Sequence, residues 1–418
     1  MRGAAAVALA AALSLPAAAQ GLDGAPSQAE LESRTPGGRR LSDLAPEEVL
    51  DAARVGAAGE DTPLPDRQAI VAALNRGLDW LLAHQNLDGS WGGWGEAGPW
   101  DEFWSNIHTH KAWITATTGL AVMSLLEHPD DLRAQQAVLR GVDYILAEPA
   151  PQRPSDWDVD NTWGYVYGLD ALGTVLLEGR LANTEREARA RAKAEEYVEK
   201  LADYQTPAGG WGYYDFDSLA QRPSWATSFQ TAAALAALAQ ARDAGVAVPG
   251  RIVTRAMDAL RRCRLPNGAW SYSVEAVPYM GLEWIDNVKG SLSRIQACHY
   301  ALLRAGANDV SKADVLAGLD QLFQHHRFLD VAYQKPVPHE TYYLNSGYFY
   351  FFGHFYAARL LDGLEPAERA RYASRLAREV VKRQEADGSM WDYHMNAYGR
   401  PYGTAFGTMT LTRTLPER

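Results

Sequence analysis

Hydrophobic and polar positions alternate along this chain in two kinds of helical segment. Six segments have one apolar and one charged face, a pattern that predicts amphipathic helices at residues 68–84, 132–147, 185–204, 251–263, 312–326 and 366–384. Six others are apolar on nearly all sides, at residues 109–127, 162–178, 225–242, 290–305, 346–361 and 402–414. Each amphipathic helix is therefore followed by an apolar one.

This alternation predicts an all-α fold with two layers. A helix with one solvated face belongs at the surface, whereas a helix that is apolar all round must be buried. Six inner helices enclosed by six outer ones satisfy both demands, so we expect an (α/α)6 toroid of six helical hairpins in a single domain, residues 67–418. An open solenoid is the alternative, but it would leave the apolar helices half exposed.

Four turns that follow outer helices have similar sequences. They are QNLDGSW at 85–91, QTPAGGW at 205–211, RLPNGAW at 264–270 and QEADGSMW at 384–391. Their glycines lie 120, 59 and 120 residues apart, which fits six units of about sixty residues. The glycine supplies a positive φ after a helix end, and the tryptophan folds back over the hairpin. We assign these residues to stability rather than to chemistry.

The turn sequences resemble the QW repeats of the terpenoid cyclase and protein prenyltransferase superfamily, which includes the squalene-hopene cyclases. The resemblance covers about residues 67–415. It implies an α/α toroid more strongly than it implies any one activity.

One acidic segment carries the candidate chemistry. The sequence DVDNT at 158–162 is similar to the Asp-x-Asp-Asp motif of squalene-hopene cyclases and other class II terpene cyclases. There the residue at the third position protonates an alkene or epoxide, so the resemblance implies Asp160 as general acid with Asp158 and Asn161 beside it. Asn161 departs from the pattern because it removes a carboxylate that would tune the acid. The alternative is that Asp160, Asn161 and Thr162 cap a helix.

Aromatic residues are abundant, with 13 Trp and 20 Tyr, and many lie at the starts of the apolar helices. An aromatic-lined cavity suits a polyprenyl or carbocationic ligand, and it suits sugar rings equally well. The candidate substrate-binding residues are Trp104, His108, His110, Trp163, Tyr167, Trp225, Phe229, Tyr348, Phe352 and Tyr402. The alternative for each aromatic ring is that it only fills the core of the toroid.

Three functions fit these observations. The first is a terpenoid cyclase-like protein that binds or cyclises an isoprenoid lipid with Asp160 as acid; as an enzyme it would be an isomerase or lyase. The second is a polysaccharide lyase or glycoside hydrolase that takes its acid and base from Asp101, Asp158, Asp160, Asp215 and Asp217. The third is a non-catalytic interaction scaffold. At the level of sequence, whether the protein is an enzyme stays open.

Metal and cofactor sites are not expected. Protein prenyltransferases hold zinc with an Asp-x-Cys pair and a later histidine, but the corresponding helix here reads QACH at 296–299 and lacks the aspartate. Cys298 and His299 point about 100° apart on a helix and do not easily share one ion, even with His354 as a third ligand. The sequence does not decide whether the two cysteines, Cys263 and Cys298, form a disulfide.

The N-terminal residues predict export. Residues 4–15 are apolar, follow Arg2 and precede a run of alanines, which is the pattern of a bacterial secretory signal cleaved after Ala19. Residues 20–66 are expected to form a flexible linker. No other stretch approaches the length of a membrane span, so we expect a secreted or periplasmic protein with no transmembrane segment in the mature chain. The formal net charge of −11 argues against nucleic-acid binding.

Overall fold

The computed structural model describes residues 63–93, 106–155, 158–213, 222–275, 277, 284–395 and 397–415. The predicted signal at 1–19 and nearly all of the predicted linker lie outside these ranges. Within them the chain forms thirteen α-helices and no β-strand: α1 (Arg67–Ala83), α2 (Ile107–Leu126), α3 (Leu132–Ala147), α4 (Asn161–Leu177), α5 (Glu185–Tyr204), α6 (Ser228–Asp243), α7 (Gly250–Cys263), α8 (Leu292–Ala305), α9 (Lys312–Gln324), α10 (Arg327–Ala332), α11 (Phe349–Leu360), α12 (Pro366–Val381) and α13 (Gly399–Thr414).

The inner layer is a closed ring of six helices. Helices α2, α4, α6, α8, α11 and α13 each pack against the next, and α13 packs against α2. Most residues of each are buried, as expected for helices that are apolar all round. The closing contact confirms the predicted toroid and excludes the open solenoid.

The outer layer consists of α1, α3, α5, α7, α9 and α12, and each buries one face against the ring. Helix α5 shows the pattern: it is rich in charged residues, and its buried positions are Ala190, Ala194, Tyr197, Val198 and Leu201. The short helix α10 was not predicted as a separate element, because the pattern at 312–326 ends at the residue directly before it. No helix among the described residues has both the length and the apolar character needed to cross a membrane.

The turns between hairpins hold neighbouring outer helices together. The turn glycines adopt positive φ, and in the first turn a Cβ on Gly89 would lie 2.3 Å from the Arg140 carbonyl oxygen. The Trp91 indole N–H donates to the Leu81 carbonyl at 2.8 Å. The Gln85 side-chain amide donates to the carbonyl of Ala137 on α3 at 2.9 Å. These contacts fit the stabilising role predicted for the turn residues.

The two ends of the inner ring differ in character. Since one outer helix returns the chain between successive inner helices, the inner helices run parallel and their carboxyl ends lie at one end of the ring. There Glu127, Asp170, Arg359 and Arg413 form a charged cluster in which Asp170 is buried and the other three residues are half-buried. Arg413 pairs with Glu127 at 3.4 Å. The amino ends surround the cavity described next.

Candidate functional site

A cavity of about 330 Å³ opens between the amino ends of the inner helices. Most of its described lining is apolar, and Asp160 is the one carboxylate there. Twelve aromatic side chains of the described residues line it: Trp113, Trp163, Tyr167, Tyr213, Phe229, Tyr348, Phe349, Phe352, Tyr393, Tyr398, Tyr402 and Phe406.

The rings are positioned by their places at helix starts and by contacts with one another. Phe229 and Phe349 lie in the first turns of α6 and α11, and they meet edge to face with centroids 4.9 Å apart. Trp163 and Tyr167, four residues apart on α4, stack with centroids 5.5 Å apart. The rings contact one another between helices, and a cavity remains open among them. They therefore form a wall rather than a filled core.

Asp160 is turned toward the cavity by an uncommon backbone conformation. It precedes α4 with φ of 63°, in the left-handed region, and its backbone N–H donates to the Tyr213 carbonyl at 2.7 Å. Its side chain makes no cap hydrogen bond to α4. Instead, Oδ2 accepts the indole N–H of Trp113 at 3.0 Å. The helix-cap alternative therefore does not hold for Asp160, although the residue occupies the cap position.

The surroundings of Asp160 raise the pKa of its carboxyl group to near neutral pH. Burial raises its pKa to about 7, and the Trp113 N–H opposes that rise because it stabilises the carboxylate. A carboxyl group with this pKa still holds its proton for much of the time at neutral pH. The Trp113 N–H would also stabilise the Asp160 carboxylate after the loss of its proton.

The other two residues of the motif are placed differently. Asp158 and Asn161 are buried and outside the described cavity lining. Oδ2 of Asp158 accepts from the hydroxyl of Ser155 at 2.8 Å, and the Asn161 amide donates to the Tyr165 hydroxyl at 3.3 Å. Of the three predicted catalytic residues, only Asp160 faces the cavity.

The predicted binding residues fall into three groups. Those that line the cavity are Trp163, Tyr167, Phe229, Tyr348, Phe352 and Tyr402. His108, His110 and Trp225 lie outside the lining: Nδ1 of His110 is 2.9 Å from the Tyr398 hydroxyl, and the indole of Trp225 donates to the Ser273 hydroxyl at 2.9 Å. Trp104 lies outside the described residues.

Several lining residues were not selected from the sequence. Tyr213 follows the second QW-like turn, and Tyr393, His394 and Met395 follow the fourth, so the segments just after these turns reach the cavity. That shared position is a signal that would have identified them. Trp113 carries the general signal of an aromatic residue in the first half of an apolar helix. Its contact with Asp160 has no such signal, because the two residues are distant in sequence.

A second polar cluster lies outside the cavity. His326, Asp330 and Glu379 have ligand-type atoms within 4.8 Å of one another, the one such group within the described ranges. Lys382 pairs with Glu379, and Arg383 pairs with Asp330. His326 Nε2 lies 3.0 Å from His354 Nε2. Because cations already balance both carboxylates, the cluster joins α10, α11 and α12 as an ion-pair network.

The candidate zinc ligands of the sequence do not converge. Cys298 is a buried free thiol whose Sγ lies 3.9 Å from the Ser228 carbonyl oxygen, whereas His354 belongs to the polar cluster. Burial lowers the pKa of His299 to about 4. Cys263 is also a buried free thiol, so the two cysteines are not joined.

Comparisons with known proteins agree with this fold. The model of the squalene-hopene cyclase C-terminal domain family matches residues 48–281. No protein with a curated description matches the sequence. Among solved structures, an unsaturated glucuronyl hydrolase from Bacillus sp. GL1 is similar with a TM-score of 0.53 at 12% identity, over 83% of this chain and 96% of its own.

Two further solved structures are similar. A cellobiose 2-epimerase from Spirochaeta thermophila has a TM-score of 0.51 at 16% identity, over 84% of this chain and 96% of its own. The type II terpene cyclase MstE from Scytonema has a TM-score of 0.48 at 16% identity, over 84% of this chain and 99% of its own. At these identities the likeness to the glucuronyl hydrolase and the epimerase shows a shared toroid fold alone. Because the family match spans more than half of the sequence, this chain belongs to the squalene-hopene cyclase C-terminal domain family, within the terpenoid cyclase-like superfamily.

Proposed function

We propose that this protein cyclises a linear isoprenoid by protonating one of its double bonds, with Asp160 as the general acid. The observation that carries the proposal is that the one carboxyl group of the described lining, with a pKa raised to about 7, faces an aromatic and otherwise apolar cavity. An isolated acid in such surroundings suits the protonation of a hydrocarbon, which offers no polar group to bind.

The reaction balances without a cofactor. Asp160 gives its proton to one carbon of a double bond, whose electron pair forms the new C–H bond and leaves a carbocation on the other carbon. A second double bond of the chain attacks that cation and closes a ring. Loss of a proton then forms a new double bond, so substrate and product are isomers, and solvent returns a proton to Asp160. The Trp113 N–H stabilises the carboxylate in between.

The lining suits the intermediate. Ring faces of Trp, Tyr and Phe attract a cation by about 0.5–2 kcal/mol each, without acting as strong nucleophiles. Trp163, Phe229 and Phe352 come from three different inner helices, so the cation is approached from several sides. The apolar walls also offer few hydrogen bonds that would hold water beside it.

The size of the cavity limits the substrate. An apolar protein cavity of about 150 Å³ accommodates benzene, which has six carbons. On that scale the cavity of about 330 Å³ holds roughly thirteen carbons. We therefore propose a substrate near three isoprene units, rather than a chain of six such as squalene.

The two alternatives receive less support. Glycoside hydrolysis needs a pair of carboxyl groups across the scissile bond, and the described lining offers one. Asp101, Asp215 and Asp217 lie outside the described residues, and Asp158 faces Ser155 instead. A scaffold would need no cavity, and it would not explain the left-handed backbone that turns Asp160 inward.

Export is proposed from the sequence. The pattern at residues 1–19 is that of a secretory signal. A secreted or periplasmic enzyme would meet isoprenoids carried in or delivered by membranes.

The purified protein should be incubated with linear isoprenoid alcohols and hydrocarbons of ten to thirty carbons, and products separated by gas chromatography with mass detection. We expect a cyclic isomer from a fifteen-carbon chain and none from squalene. Asp160→Asn should form none, whereas Asp66→Asn should behave as wild type. Asp66 is the matched control because it caps α1 by accepting from the Ala69 N–H and lies outside the cavity lining.

Two results would contradict the proposal. Equal turnover by the wild type and Asp160→Asn would remove Asp160 from the chemistry. New unsaturated or reducing ends in a screen of acidic and neutral glycans, without any isoprenoid product, would favour the second function.

A further inference from the structure

We propose that His339 is the base that ends the cyclisation by taking a proton from the carbocation. The inference rests on the proposed function, and it assigns the step that Asp160 does not perform. His339 lies in the segment between α10 and α11 and lines the same cavity as Asp160.

The hydrogen bonds of His339 fix which ring nitrogen carries the hydrogen. Nδ1 lies 2.6 Å from the Leu344 carbonyl oxygen and 3.0 Å from the Ser346 hydroxyl. A carbonyl oxygen only accepts, so Nδ1 is the donor and the neutral ring has its lone pair on Nε2. Among the described residues Nε2 has no hydrogen-bond partner, which leaves it available to a molecule in the cavity.

A compact loop holds this arrangement. The buried carboxylate of Glu340 accepts three backbone N–H groups, from Tyr342 at 2.6 Å, Tyr343 at 2.8 Å and Asn345 at 2.9 Å. The Asn345 side chain in turn donates to the Lys289 carbonyl at 2.8 Å. The loop is thereby fixed both internally and to the rest of the fold.

Leu344 adopts a strained conformation within the loop. Its φ is 58°, in the left-handed region that a branched apolar side chain rarely adopts. This conformation accompanies the short contact between its carbonyl and His339 Nδ1. The strained residue thus supplies the carbonyl that fixes the tautomer of His339, which lines the cavity. We therefore assign the strain to function rather than to packing alone.

The protonation state of His339 suits a base for this reaction. Burial lowers its pKa, so the ring is neutral at neutral pH. A carbocation is so strong an acid that a weak base suffices to deprotonate it. The C–H electron pair becomes the new double bond, and the proton goes to Nε2. The neighbouring Pro338 is exposed, so the proton can then pass to water at this side of the cavity.

Other polar groups of the lining are less suited. The Thr117 hydroxyl is committed to the Trp91 carbonyl at 2.6 Å. The hydroxyls of Tyr213 and Tyr348 both bond to that of Tyr272, at 2.5 and 3.4 Å. His394 is the remaining imidazole of the described lining, and it is therefore included in the test.

The variant His339→Asn separates the two roles of the ring. The asparagine amide can still donate to the Leu344 carbonyl, so the loop contact is kept, but nothing replaces Nε2. We expect the substrate to be consumed within a few-fold of the wild-type rate. The ratio of cyclic alkene to cyclic alcohol, the product heavier by one water, should fall at least about tenfold, because water then captures the cation.

The control is His84→Asn. His84 also has Nδ1 on a backbone carbonyl, that of Trp80 at 2.8 Å, and it lies outside the cavity lining. It should leave the product ratio unchanged. Melting temperatures of both variants should stay near that of the wild type, which confirms that a change of product does not reflect a loosened fold.

A second readout does not depend on turnover. Diethyl pyrocarbonate acylates unprotonated imidazole nitrogens, so His339 should be modified at neutral pH and protected by a saturated fifteen-carbon alcohol that fills the cavity. Peptide mass spectrometry locates the modified histidine. Absence of modification, or modification that the alcohol does not slow, would place Nε2 outside the cavity and overturn the inference.

The outcomes separate the two proposals. If Asp160→Asn abolishes cyclisation while His339→Asn leaves the product ratio unchanged, Asp160 stands and His339 is excluded. If His394→Asn shifts the ratio and His339→Asn does not, His339 is likewise excluded. If the wild type consumes no isoprenoid, both proposals fail together.

Discussion

Asp160 shows how much of the site depends on the conformation of a single residue. The resemblance of the segment 158–162 to a cyclase motif identified it as the candidate acid, but it did not predict that Asp158 and Asn161 face away. The backbone before α4 is irregular, so neighbouring side chains share no fixed face. The left-handed φ of Asp160 and the donor on Trp113 arise from tertiary contacts with Tyr213 and α2, which local sequence does not encode.

The raised pKa of Asp160 predicts a pH-dependent stability. The pKa of an unperturbed aspartate is 3.8, and that of Asp160 in the folded protein is about 7. Between these values the folded state holds more protons than the unfolded state, so the free energy of unfolding falls as pH rises, by at most about 4 kcal/mol. Asp160→Asn removes this loss. In denaturant unfolding, the stability of Asp160→Asn relative to the wild type should therefore increase from pH 5 to pH 8. The same stability difference at both pH values would contradict the raised pKa of Asp160.

Trp113→Phe tests the donor on Asp160. Without the indole N–H the carboxylate is less stabilised, so the pKa of Asp160 should rise by about one unit. The decline of turnover at high pH should then move upward by the same amount, with a lower maximal rate because the acid is weaker. Trp163→Phe is the matched control, since Trp163 also lines the cavity but stacks on Tyr167. The same shift in both variants would show that ring volume, not the hydrogen bond, is responsible.

At the scale of elements, the helices were predictable and the loops between them were not. The twelve long helices lie within a few residues of their predicted ranges, because burial on one face or on all faces leaves a periodic record. The loop that carries His339 has no such periodic pattern. Its conformation depends on three N–H groups that donate to Glu340 and on the left-handed backbone of Leu344. The same holds for Tyr213 and Tyr393, which reach the cavity from irregular segments.

Glycine substitutions separate backbone strain from crowding in the turns. Gly89→Ala should cost more than about 2 kcal/mol, because its φ is 92° and the Cβ would overlap the Arg140 carbonyl. Gly179→Ala should cost about 1 kcal/mol, since φ is 67° but the space is open. Gly250→Ala, at the start of α7 with open space, should cost little. Thermal unfolding of the three variants measures this order, and a Gly89 variant as stable as the Gly250 variant would contradict the role of the turn.

At the scale of the whole molecule, the toroid has an apolar end and a charged end. Alternation of helix types predicted the ring, since the alternative, an open solenoid, would leave the six apolar helices half exposed. It did not predict whether the amino ends enclose a cavity or a filled core, because that depends on how aromatic side chains from different helices pack. At the opposite end, arginines near the carboxyl ends of inner helices balance the charge of nearby carboxylates. They also interact favourably with the negative ends of the helix dipoles.

Removing one arginine tests the charged end. Arg359→Met should destabilise the fold by about 3 kcal/mol, because Glu127 and the buried Asp170 lose the half-buried cation beside them. Arg191→Met, which breaks a surface pair with Glu187, should cost about 1 kcal/mol or less. Denaturant unfolding compares the two, and similar costs would show that the charged cluster contributes no more than a surface pair.

Incorporation of deuterium from the solvent is the sharpest measure of the first proposed step, in which Asp160 protonates carbon. The wild type should be incubated with its fifteen-carbon substrate in deuterium oxide, where the carboxyl proton exchanges with solvent. We expect a cyclic product with one carbon-bound deuterium per molecule, and no product from Asp160→Asn. A cyclic product without deuterium, or a deuterated product formed equally well by Asp160→Asn, would contradict it.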